Sequence, residues 1–196
     1  MPADEALAGT VYLRIGDSAK KIPYEPSPRP NAPPSYGFKP LKGQPEAVRW
    51  IPEAHTDPAL QDLLVAANDS STAIFTIGCG SAALRGNEGH WQRGYVEFAL
   101  NDAYAVQSFA EYFKVFLDFD GAWRAARGEY RVSFMWELAP ALFLARDVEG
   151  YTFTVWIQTA PYATAEAARY CWGHALAQLR QQLVSVRLLV SGDAIY

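Results

Sequence analysis

The stretch that decides the fold is Trp91-Gln-Arg-Gly-Tyr-Val-Glu-Phe-Ala-Leu-Asn-Asp102. Within it, Val96, Phe98 and Leu100 fall on one side of an extended chain, and the residues between them fall on the other. Asn101-Asp102 then supplies side-chain oxygens that can cap a helix. The stretch therefore predicts a half-buried strand that passes directly into an amphipathic helix.

The residues around this stretch predict a first ββα unit. Residues 72–84 and 91–100 form a hairpin, because residues 85–90 between them have turn chemistry. The helix that follows ends near Asp120-Gly121. Its predicted inner face collects the apolar residues Val106, Phe109, Ala110, Phe113, Phe116 and Leu117.

A second ββα unit follows the same plan. Residues 130–145 and 151–159 form a hairpin, and residues 163–184 form a helix. A shift of 58 residues places Tyr95–Tyr104 over Phe153–Tyr162, which suggests an internal duplication. We therefore expect an α+β fold, an antiparallel sheet of order ββαββα with helices on one face. The residues of the second helix that are predicted to face the sheet are Ala165, Ala168, Trp172, Ala175, Leu176, Leu179 and Leu183.

The N-terminal quarter has a different character. Residues 9–15 are β-prone, and ten of the 13 prolines then lie between Pro23 and Pro58. Proline fixes φ and removes an amide donor, so neither a helix nor a central strand can persist there. Either a disordered linker or an ordered extended arm fits this composition, and buried aromatics such as Tyr24 and Trp50 would favour the ordered arm.

The predicted organisation is an N-terminal strand and arm over residues 1–55, followed by one domain over residues 56–196. Thr56-Asp57-Pro58 is a typical helix start, and Asn68-Asp69 ends that short helix. Leu60, Leu63, Leu64 and Ala67 form its apolar stripe. Residues 186–196 are expected to add an edge strand.

If both long helices cover one sheet face, the opposite face is left to solvent, to the arm or to a partner. Aromatic residues, Arg and Met are the residue types that interface cores favour. The alternation of the strands predicts which residues face that way. The candidate binding residues are Trp91, Arg93, Tyr95, Glu97, Arg131, Met135, Glu137 and Trp156, with Ser133, Thr152, Thr154 and Gln158 between them.

A glycine motif, Ile77-Gly78-Cys79-Gly80-Ser81, follows a β-prone run. It resembles the first glycine motif of class I S-adenosylmethionine-dependent methyltransferases, and Glu97 stands 17 residues past Gly80, near the position of that family's ribose-binding acid. The resemblance implies a degenerate methyltransferase. Thr76 stands where the family has an acid, and glycines in a strand also mark bulges, so a bulge is the alternative reading.

Two metal-site hypotheses depend on short spacings. Asp118, Asp120 and Glu129 fit three positions of a calcium loop, but the loop's invariant glycine position is Trp123. Cys171 and His174 are one helical turn apart, yet zinc would need two more ligands. Both residues are predicted to face solvent on their helix. The sequence predicts no metal and no cofactor.

Two catalytic arrangements are conceivable. Cys79 or Ser81 could meet His90 across the first hairpin as nucleophile and base. Glu97 and Glu137 could form a carboxylate pair on one sheet face. Neither comes with a motif that would aim the groups at each other, so the sequence favours a chain that is not an enzyme.

Charge and composition exclude several classes of partner. The chain has 17 Lys and Arg against 21 Asp and Glu, for a net charge of −4, and Lys20-Lys21 is its only pair of adjacent lysines. No basic run could neutralise a phosphate backbone. No apolar stretch approaches the ~20 residues that span a bilayer. The sequence predicts a cytoplasmic protein with free cysteines that binds neither nucleic acid nor membrane.

The leading functional hypothesis is a non-enzymatic module that binds a protein or ligand through the second sheet face, with a protein partner or a second copy of the chain as occupant. A partner-sequestering role, as in toxin-neutralising immunity proteins, is one form of it. The alternatives are the degenerate methyltransferase and a structural subunit of a larger assembly.

Overall fold

The computed structural model describes residues 10–28, 35–126, 130–189 and 192–196, and these residues build one six-stranded mixed sheet. The strand order is β1-β5-β6-β4-β3, with β2 also paired to β5. The strands are β1 Val11–Ile15, β2 Lys20–Ile22, β3 Ile74–Gly86, β4 Gly89–Leu100, β5 Val132–Phe143 and β6 Val148–Thr159.

The two predicted hairpins are present. β3 and β4 pair antiparallel around a two-residue turn at Asn87-Glu88, and β5 and β6 pair antiparallel around residues 144–147. One long helix, Phe109–Ala126, follows the first hairpin and another, Ala165–Ser185, follows the second, which is the predicted hairpin–helix–hairpin–helix order. The internal duplication that this order suggested stays a prediction.

The expectation of a purely antiparallel sheet is wrong. β1 and β2 both pair with β5 in the parallel direction, so the sheet is mixed. A hairpin forces its two strands to run antiparallel, whereas β1 and β5 are separated by more than 100 residues of chain and are free to pair either way. The sequence pattern of the hairpins therefore could not predict the direction in which β1 and β2 pair with β5.

Three helices pack on one face of the sheet, which we call the helix face. They are α1 Pro58–Ala67, α2 Phe109–Ala126 and α3 Ala165–Ser185. Alternate strand residues on β4, β5 and β6 share one hydrophobic core with them. The fully buried large side chains of this core include Leu60, Phe98, Tyr112, Phe119, Trp123, Phe134, Trp136, Phe153 and Trp172.

The predicted inner face of α2 is rotated from the observed one. α2 buries Tyr112, Val115, Phe119 and Trp123, together with Glu111, and it continues past Asp120-Gly121 to Ala126. The predicted face included Phe109 and Leu117, which are 42% and 55% exposed. An aromatic-rich helix has apolar residues on more than one side, and the sheet residues that it meets decide which side is buried.

The described parts of the proline-rich arm lie against both sheet faces, although Trp50, which the ordered arm was expected to bury, is 71% exposed. Short 3-10 turns at Pro45–Trp50 and Pro52–Ala54 bury Val48 and Ala54 in the core of the helix face. Tyr24 and Phe38 pack on the opposite face. Pro30, Pro33 and Pro34 lie outside the described residues.

The predicted C-terminal edge strand is not found in residues 186–189 and 192–196, and residues 190–191 lie outside the described part. Residues 192–196 instead lie against the sheet. The side chain of Asn101 accepts from the amides of Ile195 (3.1 Å) and Tyr196 (2.8 Å) and donates to the Tyr196 carbonyl (2.8 Å). Asp102 accepts from the amide of Gly192. The expectation that Asn101-Asp102 caps the long helix is wrong: Asp102 accepts from the amides of Tyr104 and Ala105 at a 3-10 helix, Ala105–Gln107, and α2 begins only at Phe109. Asn101 and Asp102 instead hold residues 192–196, which we call the tail.

Candidate binding surface on the second sheet face

The face opposite the helices, which we call the second face, presents its side chains in rows that cross the sheet. The strand registers set these rows, because residues paired across antiparallel and parallel strands stand side by side. One row contains Glu97, Thr154, Glu137 and Arg14. The next contains Tyr95, Trp156, Met135 and Tyr12. A third contains Arg93, Gln158 and Ser133.

One half of the second face is covered. A second hydrophobic cluster forms there from strand, arm and tail residues: Ile22, Tyr24, Phe38, Phe75, Ile77, Ala99, Val106, Ala141, Phe143, Val148, Ile195 and Tyr196. Within it the Tyr196 ring lies 4.8 Å from Phe75 and 5.2 Å from Phe38, between ring centroids. The interpretation that the arm covers this face thus holds for this half.

The other half is not covered by the described residues, and we call it the open flank. It consists of Tyr12, Arg14, Arg93, Tyr95, Ser133, Met135, Glu137, Trp156 and Gln158. We add Arg131, which directly precedes β5, because the alternation of that strand assigns it to the side of Ser133. Trp156 and Tyr12 are 41% and 44% exposed, and both arginines at positions 93 and 131 are exposed. Six of the eight candidate binding residues lie on this flank. Trp91 lies at its margin on β4, half-buried beside Gly86, and Glu97 lies at the boundary with the covered half.

The glutamate row is held by ion pairs. Lys20 from β2 reaches Glu97 with a 2.6 Å contact, and Glu97 is only 4% exposed. Arg14 from β1 contacts Glu137 at 2.7 Å. Thr154 of β6 stands between the two glutamates, which places their Cα atoms about 9.6 Å apart from the strand spacing. Each carboxylate therefore contacts a cation of its own, Glu97 that of Lys20 and Glu137 that of Arg14.

We call the row of Tyr95, Trp156, Met135 and Tyr12 the aromatic row, and two contacts fix the Trp156 side chain within it. The rings of Tyr95 and Trp156 lie 5.0 Å apart between centroids, inclined by 40°. The indole nitrogen of Trp156 donates to the Glu137 carboxylate at 3.2 Å. Since its polar atom is satisfied and its ring is in contact with Tyr95, the exposed part of Trp156 is an oriented apolar surface.

The glycine motif lies inside β3 rather than in a loop. The register of β3 and β4 shifts between Thr76 and Gly78, which is the β-bulge of the alternative reading, and β3 then continues to Gly86 with no helix after it. A Cβ at Gly80 would lie 3.1 Å from the Tyr95 ring. The residues do not fit an S-adenosylmethionine loop, because that loop must open into a helix and leave room for the cofactor.

The proposed nucleophile and base are far apart. Cys79 pairs with Val96, Ser81 with Gly94 and Arg85 with His90. Along β3, Cys79 is therefore about 20 Å and Ser81 about 13 Å from the position opposite His90. Cys79 is buried under the helix face, and this burial raises the pKa of its thiol to about 12, with the negative charges of Glu53 and Asp57 acting in the same direction. Such a thiol stays protonated and is a poor nucleophile.

The two metal-site hypotheses also fail in the geometry. Cys171 is buried and contacts the Tyr162 side chain. His174 is half-buried, and its ring stacks on that of Tyr130 with 3.7 Å between the centroids. The expectation that Cys171 and His174 face solvent is therefore wrong. Burial lowers the pKa of His174. In the described part of the chain, no group of three or more His, Cys, Asp and Glu side chains is placed to hold a metal ion.

The calcium-loop residues lie on a helix. Asp118 pairs with Lys114 and Asp120 pairs with Arg124, each one turn away along α2. Glu129 lies outside the described residues. A continuous helix cannot wrap its side chains around an ion in the way that the twelve-residue loop does.

Sequence reasoning missed Tyr12, Arg14 and Lys20, which complete the rows of the second face. A signal for the first two was present, since Val11 and Leu13 alternate with them in the N-terminal strand. It could be used only once β1 was known to pair with β5, because that pairing decides the neighbours of these side chains.

Comparison of the chain with protein-family models, with curated proteins and with solved structures finds no match in any of the three. None of the helices in the described ranges has the length and apolar character needed to cross a bilayer.

Proposed function

We propose that this chain is a non-enzymatic binding module that holds a protein partner against the open flank. The observation that carries the proposal is the exposed row of Trp156 and Tyr12, with half-buried Tyr95 and Met135 in the same row. Trp, Tyr, Met and Arg are enriched in interface cores, and well-oriented aromatic side chains are the usual centres of binding energy.

The position of the row in the sheet supports the proposal. Trp156 is on β6 and Tyr95 is on β4, and both strands have a hydrogen-bonded strand on each side. The aromatic row therefore needs little ordering when a partner binds, which lowers the entropic cost of association. The arm and the tail cover the neighbouring half of the same face with apolar residues, so the exposure of Trp156 is specific to the open flank.

The groups with catalytic potential support a binding role rather than catalysis. Glu97 and Glu137 are engaged by Lys20 and Arg14, and the Cys79 thiol is buried away from the second face. The most specific form of the proposal is a partner-sequestering protein of the immunity type, which the small size and the net charge of −4 motivate. A second copy of the chain is the competing occupant.

The test is capture of a partner from native lysate by the immobilised chain and by two variants. Trp156→Ala should reduce capture of a stoichiometric partner at least tenfold, while the thermal midpoint stays within a few degrees. Leu117→Ala is the matched control, because it removes an exposed apolar side chain from α2 on the other side of the molecule.

Three outcomes oppose the proposal in different ways. Equal capture by Trp156→Ala and the unmodified chain would remove the open flank as the binding surface. A large drop in thermal midpoint would mark Trp156 as a structural residue. Concentration-dependent dimerisation that Trp156→Ala abolishes, measured by light scattering, would make a second copy the occupant.

A further inference from the structure

The open flank carries more positive than negative charge. Its carboxylate, Glu137, is paired with Arg14, and the neighbouring Glu97 is paired with Lys20. Arg93 and Arg131 are exposed, and neither has an acidic side chain within 4 Å among the residues that the structure describes. Two cationic side chains are therefore left over at the end of the flank farthest from the tail.

This local charge is opposite in sign to that of the whole chain, which is −4 at pH 7. A surface that is locally positive on an acidic protein favours a partner whose contacting surface is negative, and it raises the rate of productive encounters with such a partner. Guanidinium groups suit this purpose, because each can donate two parallel hydrogen bonds to one carboxylate.

The spacing of the rows adds a requirement on the partner. Arg93 lies two residues along β4 from Tyr95, so the aromatic row and the arginine row are about 6.6 Å apart. A side chain that packs on Trp156 and a carboxylate that meets Arg93 can therefore belong to neighbouring residues of one segment. Nucleic acid is the weaker fit, because two unpaired cations could neutralise only about two phosphates.

On the basis of the proposed function, we infer that the partner meets the open flank with an acidic protein segment. This segment carries a large apolar side chain for the Trp156 surface, with Asp or Glu beside it for Arg93 and Arg131. The inference names the chemistry of the partner, and it is separable from the existence of the binding surface because it depends on the arginines rather than on Trp156.

The first test uses the full chain with indole nitrogens labelled with ¹⁵N and three short synthetic peptides as probes. Each peptide has a central phenylalanine, flanked by glutamates, by lysines or by serines. The glutamate peptide should shift the Trp156 indole resonance, assigned with Trp156→Phe, and should bind at least tenfold more tightly than the lysine peptide. Its affinity should fall as the salt concentration rises.

Charge reversal locates the effect. Arg93→Glu and Arg131→Glu should each weaken the glutamate peptide about tenfold, whereas Arg180→Glu, an exposed control on α3, should leave its affinity unchanged. Equal binding of the glutamate and lysine peptides, no shift with any peptide, or full affinity in both flank variants would overturn the inference. Displacement of the glutamate peptide by a single-stranded oligonucleotide would also overturn the inference, because it would identify nucleic acid as the partner of the open flank.

The same variants separate this inference from the proposed function. If Trp156→Ala loses the native partner while Arg93→Glu and Arg131→Glu retain it, the result supports the open flank as the binding surface and contradicts an acidic partner segment. If Trp156→Ala retains the native partner, the proposed function falls, whatever the peptides do.

Discussion

The indole nitrogen of Trp172 donates a 2.7 Å hydrogen bond to the Asp57 carboxylate in the buried space between α1 and α3. The other oxygen of Asp57 accepts from the amide of Leu60 at 3.1 Å and so caps α1. A single buried carboxylate thus ties the start of the short helix to the middle of the last helix, 115 residues further along the chain.

Replacement of Asp57 should therefore cost more than loss of an ordinary helix cap. Asp57→Ala removes the cap, worth about 1 kcal/mol, and leaves the indole N–H of Trp172 buried without an acceptor, which costs about 1–3 kcal/mol. We expect the free energy of unfolding in urea to fall by roughly 3 kcal/mol in total. Thr164→Ala, which removes only the exposed cap of α3, is the control and should cost about 1 kcal/mol. Similar losses in the two variants would contradict the buried link.

The tail should be released by a change at Asn101. Asn101→Ala removes three hydrogen bonds to the backbone of Ile195 and Tyr196, each worth about 1 kcal/mol. Hydrogen exchange at the amides of these two residues should become at least tenfold faster. Gln107→Ala, which removes one exposed hydrogen bond to the Ala103 carbonyl, should leave that exchange unchanged. Slow exchange in Asn101→Ala would mean that packing of the Tyr196 ring alone retains the tail.

The buried thiol of Cys79 predicts a loss of stability at high pH. Its pKa is about 12 in the folded chain against 9.0 for an exposed thiol. Because the folded-state pKa is raised, the contribution is fully present below pH 9 and is lost as the pH rises towards 12. The stability difference between the unmodified chain and Cys79→Ala should therefore shrink by about 1.4 kcal/mol from pH 8 to pH 10.

Urea unfolding under reducing conditions at both pH values measures this effect. Val96→Ala is the control, since it removes the non-titrating cross-strand neighbour of Cys79. Its stability deficit should be the same at both pH values. A constant deficit in Cys79→Ala as well would show that the thiol is accessible to water.

Two glycines should respond to alanine in opposite directions. A Cβ at Gly94 would lie 2.1 Å from the Gly80 carbonyl oxygen and 2.7 Å from the Trp172 ring, so Gly94→Ala must separate β3 from β4 or displace α3. We expect it to cost at least 3 kcal/mol or to prevent folding.

Gly121 lies within α2 and a Cβ there meets nothing within 4 Å. Gly121→Ala should stabilise the chain by about 0.5–1 kcal/mol, measured by thermal and urea unfolding. Destabilisation by Gly121→Ala would contradict the exposed helical position.

The local elements could be predicted from the sequence because their signals are local. Turn chemistry and alternation predict the first hairpin over residues 72–84 and 91–100, and β3 and β4 are observed at Ile74–Gly86 and Gly89–Leu100. The apolar period predicts the last helix over residues 163–184, and α3 is observed at Ala165–Ser185. The same alternation predicted which strand residues share the second face, since successive side chains in a strand point to opposite sides.

The phase of α2 shows where local signals stop being sufficient. Phe109, Phe113 and Leu117 satisfy the helical period as well as Tyr112, Phe119 and Trp123 do, and only contact with Phe134, Trp136 and Phe153 selects the second set. Those partners come from strands that follow α2 in the chain. The choice is therefore made by packing between distant segments, which no window of sequence contains.

The sequence by itself determined the hairpins, the helices and the two-sided pattern of each strand, because turn residues and apolar periods act over a few positions. Only the tertiary structure decided that β1 and β2 join β5 in parallel, that residues 192–196 cover one half of the second face, and that Lys20 and Arg14 engage the glutamates. Each of these contacts joins segments that are far apart in the chain, where chain connectivity imposes no direction or register. Their arrangement is set by which apolar and charged surfaces can be buried together. The arm and the tail bury one half of the second face in this way, and Trp156 lies on the half that they do not cover.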